Sequence, residues 1–134
     1  MATVYVFRPY LSENASGVWP VTYFNETKVG DVKINSYTYV YVTPGRYQIR
    51  SEKSQTLTLL DNVPGQFSIP GPGDYYLAFI TRGSSSVAMV GTSPMTIAGP
   101  TQHYWQMLNR ADASRLGLER MRFLPAASQV IQAQ

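Results

Sequence analysis

"YTYVYVTPGRYQIR", residues 37–50, is the stretch on which the fold turns. Tyr37, Tyr39 and Tyr41 alternate with Thr38, Val40 and Val42, the period-two pattern of a strand whose two faces meet different surroundings. Pro44-Gly45 ends the run, because proline presets φ and glycine accepts positive φ. A second alternation follows, with Tyr47 and Ile49 on one face and Arg46, Gln48 and Arg50 on the other. The two runs are expected to pair as a hairpin. Three tyrosines on one strand face either recognise a ligand or pack beneath another part of the chain.

Strand signals continue in both directions. Upstream, "TVYVFR" (3–8) is a strand closed by Pro9, and two short strands around Val21–Tyr23 and Val29–Val32 flank a tight turn at Asn25–Lys28. Downstream, "QTLTLLD" (55–61), "QFSIP" (66–70) and "DYYLAFITR" (74–82) read as strands. The Gly83–Ser86 turn is expected to fold "SVAMVGT" back onto the last of these. Turns every 8 to 12 residues are the mark of a sandwich or barrel. From Asn109 to Glu119 the pattern turns helical, with Asn109 as N-cap and Asp112 as the acidic residue of a capping box. "RMRFLP" then offers one more short strand, stopped by Pro125.

The expected fold is therefore mainly β: an antiparallel β-sandwich of seven or eight strands with a short C-terminal helix. A chain of 134 residues suits one domain. Its core is expected over about residues 3–125, with 126–134 a loose tail.

Composition narrows the function classes. Apolar residues make up 44% of the chain and aromatics 13%, with ten tyrosines, which favours a folded, β-rich domain. A net charge of +3 makes the chain only mildly basic. Arg110, Arg115, Arg120 and Arg122 gather near the C-terminus at spacings that form no single helical stripe, which argues against nucleic acid as a partner. With no cysteine there is no thiolate nucleophile or thiolate metal site. No segment reaches the ~20 apolar residues of a spanning helix.

No catalytic constellation emerges. His103 is the only histidine and has no carboxylate near it in sequence. Asp31, Asp61 and Asp74 each sit at a turn, where aspartate bonds the backbone. "GPGDYY" (71–76) leads into a strand, whereas a phosphate loop opens a helix. No catalytic, cofactor or metal residue is assigned, and no enzyme activity is expected. The binding signal is aromatic: Tyr37, Tyr39 and Tyr41 on one strand face, with Trp19 and Trp105 near loops. These five form the candidate face for a ligand or partner. The bland alternative covers both faces of the sheet, one by the second sheet and one by the C-terminal segment.

Several short motifs occur in a recognisable order. Arg8-Pro9 closes the first strand, a polar tip with glycine spans Asn25–Gly30, and an aromatic strand runs into Pro44-Gly45-Arg46-Tyr47. Tyr75-Tyr76 opens a later strand, and an alanine-rich helix leads into a last strand across Ala111–Phe123. This order resembles a domain-of-unknown-function family of small bacterial cell-envelope lipoproteins, and the wider carboxypeptidase-regulatory-like and prealbumin-like sandwiches. The resemblance implies a structural or accessory module, periplasmic or outer-membrane-anchored, that contacts a protein or envelope component. A lipid anchor would belong to a longer precursor. The alternative is a module binding glycan or peptide on the tyrosine face, and an unpaired edge strand would open a route to a homo-oligomer.

Overall fold

The computed structural model describes residues 1–9, 20–53, 64–82, 85–90, 93–98 and 102–133. In chain order the strands are β1 (Ala2–Arg8), β2 (Pro20–Phe24), β3 (Thr27–Asp31), β4 (Ser36–Val42), β5 (Gly45–Lys53), β6 (Gly65–Ile69), β7 (Asp74–Arg82), β8 (Ser85–Val90), β9 (Ser93–Ala98) and β10 (Gln102–Leu108). Helix α1 (Arg110–Arg115) and one 3-10 turn (Leu118–Arg120) follow, then the two-residue strands β11 (Arg122–Phe123) and β12 (Val130–Ile131).

The mainly β, sandwich-like fold with one short helix is as expected. One sheet runs β10-β7-β1-β4-β11, with β12 also on β4; the other runs β3-β2-β5-β6. The sheets meet through alternate residues. Val4, Val6, Val40, Val42, Leu77 and Phe79 face Phe24, Val29, Tyr47, Ile49, Phe67 and Ile69 in one buried cluster. Arg8 is also fully buried on this side, its guanidinium 5.1 Å from the Phe79 ring centroid and Nη1 3.5 Å from the Val32 carbonyl. Burial lowers its pKa to about 10, so it stays charged at neutral pH.

Four expectations change. First, β4 and β5 do not pair. β4 bonds β1, while β5 bonds β2 and β6 in the other sheet. Pro44-Gly45 is thus a corner at which the chain changes sheets, with Gly45 at φ +146. Both strands still show the expected alternation, because a corner preserves it as well as a hairpin does.

Second, the sandwich is not purely antiparallel. β1 pairs β7 in parallel, with Tyr5 beside Tyr76, and β11 and β12 run parallel to β4. A parallel pair needs a long crossover, and the chain from β2 to β6, which builds the second sheet and lays β4 on the far side of β1, supplies it.

Third, there are twelve strands among the described residues rather than seven or eight. β8 pairs β9 in a separate ribbon, not β7 as expected. The unanticipated β10 takes that place on β7. Its sequence shows no polar–apolar alternation because Tyr104 and Leu108 pack on the outer cluster while Trp105 packs on the inner one. The strand expected at 55–61 lies outside the described residues.

Fourth, the core does not stop near 125. Ile131 is 1% exposed, and Ala126 and Ala133 pack against the core. The segment bonds both sheets: Ala127 N–H donates to Val29 O (2.8 Å), Tyr41 N–H to Gln129 O (2.9 Å) and Thr43 N–H to Ile131 O (3.2 Å). Compositional looseness near a terminus gave way to specific docking on the edge of β4.

Candidate ligand-binding face

The outer face of the six-stranded sheet carries the tyrosines. Odd positions of β1 and β4 point there, and the register sets Thr3 beside Tyr41, Tyr5 beside Tyr39 and Phe7 beside Tyr37. The rings touch in series. Tyr76 stacks on Tyr5 (5.2 Å between centroids, 9°), Tyr5 meets Tyr39 (6.0 Å), and Tyr39 meets Tyr41 edge-on (5.8 Å). Phe123, brought alongside by β11, stacks on Tyr39 (5.6 Å, 24°) and leans on Tyr37 (5.5 Å).

One end of this array is roofed. α1 starts where Asn109 Oδ1 accepts from Asp112 N–H (2.8 Å), the expected cap. Gly117, at φ +90, turns the chain into the 3-10 turn. Ala113 and Met121 then close over Phe7, Tyr76, Ala78 and Ile80 as a second buried cluster. Between roof and sheet lies a cavity of about 250 Å³. Its sheet-side wall is Tyr5, Tyr37 and Tyr76; Arg110, Ser114 and Glu119 line its helix side. The other end is open: Tyr41 is 39% exposed, Phe123 45% and Val130 49%.

Two titratable groups that line this cavity are perturbed, in opposite directions. Ser114 Oγ donates to Glu119 Oε1. That bond, then Glu119's own backbone, holds the carboxyl below its ordinary value, with smaller pulls from Arg110 and Arg120. A carboxylate held low is a weak base. Tyr5 moves the other way: burial, then the charge of Asp74 and the neighbouring phenols, raise its pKa. A raised folded-state value means that this contribution to stability is complete below about pH 10 and is lost as pH rises through the folded value. Tyr5→Phe should therefore lose less stability than the parent between about pH 9 and pH 11, read as the thermal midpoint against pH. Parallel curves would rule out a perturbed Tyr5.

Of the five candidate residues, Tyr37, Tyr39 and Tyr41 share this face, the first two half-buried and the third exposed. Trp105 does not join them. It points inward from β10, its ring 4.9 Å from Phe79 and edge-on to it. Trp19 lies outside the described residues. His103 is opposite Thr81 on β10; its side chain is outside the described residues, as is Asp61. Among the described residues, no three His, Cys, Asp or Glu side chains gather as metal ligands would.

Tyr5, Tyr76, Phe123 and the polar trio of the roof were not singled out from sequence. Tyr5 and Tyr76 could have been found from the alternation of their strands. Arg110 and Ser114 are four apart, hence on one helix face, but nothing local says that this face looks onto tyrosines. Comparison with family models, curated proteins and solved structures gives no match. The site is accordingly argued from its own residues.

Proposed function

We propose that the protein is a non-enzymatic contact module of the cell envelope, holding a glycan on its tyrosine face. The observation that carries this reading is the unbroken series of rings leading from a walled cavity to open surface. The cavity falls just below the ~300–1,000 Å³ of pockets for drug-sized ligands, a size that suits one sugar ring. Such a ring would lie on a tyrosine with its hydroxyls toward Arg110, Ser114 and Glu119, and the next sugar would reach Tyr39, Tyr41 and Phe123. Aromatic rings offer apolar faces to the C–H side of sugars, and phenol hydroxyls add hydrogen bonds at the rim. The envelope setting and an accessory role rest on the resemblance of the motifs.

Soluble N-acetylglucosamine oligomers, standing in for an envelope glycan, provide the test by calorimetric titration. Tyr41→Ala and Phe123→Ala should each weaken binding about tenfold, or ~1.4 kcal/mol, with the thermal midpoint little changed because both side chains are exposed. Undiminished binding by both variants would remove the tyrosine face as the site. A second reading, contact with an envelope protein, draws on Val130, which adds an exposed aliphatic group beside Tyr41 that a glycan does not need.

A further inference from the structure

The opposite outer face, on the four-stranded sheet, has a different chemistry. Arg46, Gln48 and Arg50 alternate outward along β5, and the register sets Ser68 beside Arg46, Gln66 beside Gln48 and Tyr23 beside Arg50. Lys28 follows beside Tyr23. Three concavities of about 430, 450 and 330 Å³ open around these strands, and Gln48 lines all three. Arg46 lines the two larger ones. They form a trough along β5, with an amide in the middle and a guanidinium toward each end. Four residues of strand separate the two arginine Cα atoms by roughly 13 Å. Among the described residues the trough has one carboxylate, Glu26, at the turn.

We propose that this trough binds an acidic polysaccharide, independently of the tyrosine face. Guanidinium groups pair with carboxylates through two parallel hydrogen bonds, and Gln48, Gln66 and Ser68 supply both donors and acceptors for sugar hydroxyls. The Arg50 guanidinium lies 4.2 Å from the Tyr23 ring centroid, which fixes its plane at the surface. The same stacking disfavours a nucleic acid. Single strands are held by bases stacking on aromatic rings, and the one aromatic side chain of this face, among the described residues, is already covered by Arg50.

The test titrates the full chain with polyuronate oligomers at low and moderate salt, with a neutral dextran and a single-stranded DNA oligomer in parallel. Polyuronate should bind and weaken with salt, and excess neutral dextran should not displace it. Arg46→Gln should weaken polyuronate binding about fivefold to tenfold, and Arg46→Gln with Arg50→Gln by more, while Tyr41→Ala leaves it unchanged. Arg46 is exposed, so the single variant reports on binding even where the double variant disturbs Tyr23. The proposal is overturned by no polyuronate binding, by binding insensitive to Arg46→Gln, or by tighter binding to the DNA oligomer. Failure of the tyrosine-face reading leaves these outcomes unaffected, because they are read on a different ligand and different residues.

Discussion

Ending the chain at Pro125 should destabilise the fold by about 4 kcal/mol. The removed residues include Ile131, which is 1% exposed and part of the inter-sheet core; removing a buried aliphatic side chain of this size costs ~2–5 kcal/mol. Hydrogen bonds to Val29, Tyr41 and Thr43 also go, each worth ~0.5–1.5 kcal/mol net. The shorter chain orders fewer residues on folding, which offsets part of the loss. Denaturant unfolding gives the measurement. Ile131→Ala alone should account for about half of the effect, ~2 kcal/mol, separating side-chain burial from the backbone bonds. A truncation loss below ~1 kcal/mol, within the range of ordinary surface changes, would mean that the segment is a loose tail after all.

The second large effect belongs to the corner at Gly45. Its φ of +146 is one that side chains rarely adopt, and a Cβ there would lie 2.5 Å from the Cβ of Ala133. Gly45→Ala should therefore cost ~3 kcal/mol, combining backbone strain of ~1–3 kcal/mol with overpacking of similar size. Adding Ala133→Gly should return the steric part and leave the strain, so that the two changes couple in a double-mutant cycle. The corner is tied together by its neighbours. The Tyr47 hydroxyl donates to Thr43 O, and Thr43 Oγ1 accepts from Ala133 N–H at 2.9 Å. Purely additive effects in the cycle would place Ala133 away from the corner.

That corner also shows how far the sequence carries. Pro44-Gly45 announces a break between two strands, and the chain does change direction there, with Tyr47 buried just beyond it. It does not say which strand the chain meets next. Pairing is a long-range choice, and a run such as Arg46–Arg50 alternates in the same way beside β4 or across the sandwich from it. Local signals did well wherever one residue has one local task. Asn109 caps α1 through its own side chain, and Pro9 and Pro125 bound strands because proline lacks an N–H.

The signals weakened where a strand packs aromatic side chains on both sides. Trp105 and Tyr104 face opposite clusters, so β10 lacks the contrast between faces by which strands are recognised. The candidate face was legible in part for the same reason. Tyr37, Tyr39 and Tyr41 show in the alternation of one strand. Tyr5, Tyr76 and Phe123 join them only through the pairing of four strands, two of the three pairings parallel.

The most direct test of the tyrosine face as the working surface is an aromatic-ring NMR map recorded while N-acetylglucosamine oligomers are added. The ring signals of Tyr39, Tyr41 and Phe123 should shift first and most, those of Tyr5 and Tyr76 should follow as the cavity fills, and Phe24 and Phe67, buried between the sheets, should stay in place. Shifts confined to Tyr23, or ring signals that do not move while calorimetry reports binding, would contradict the account.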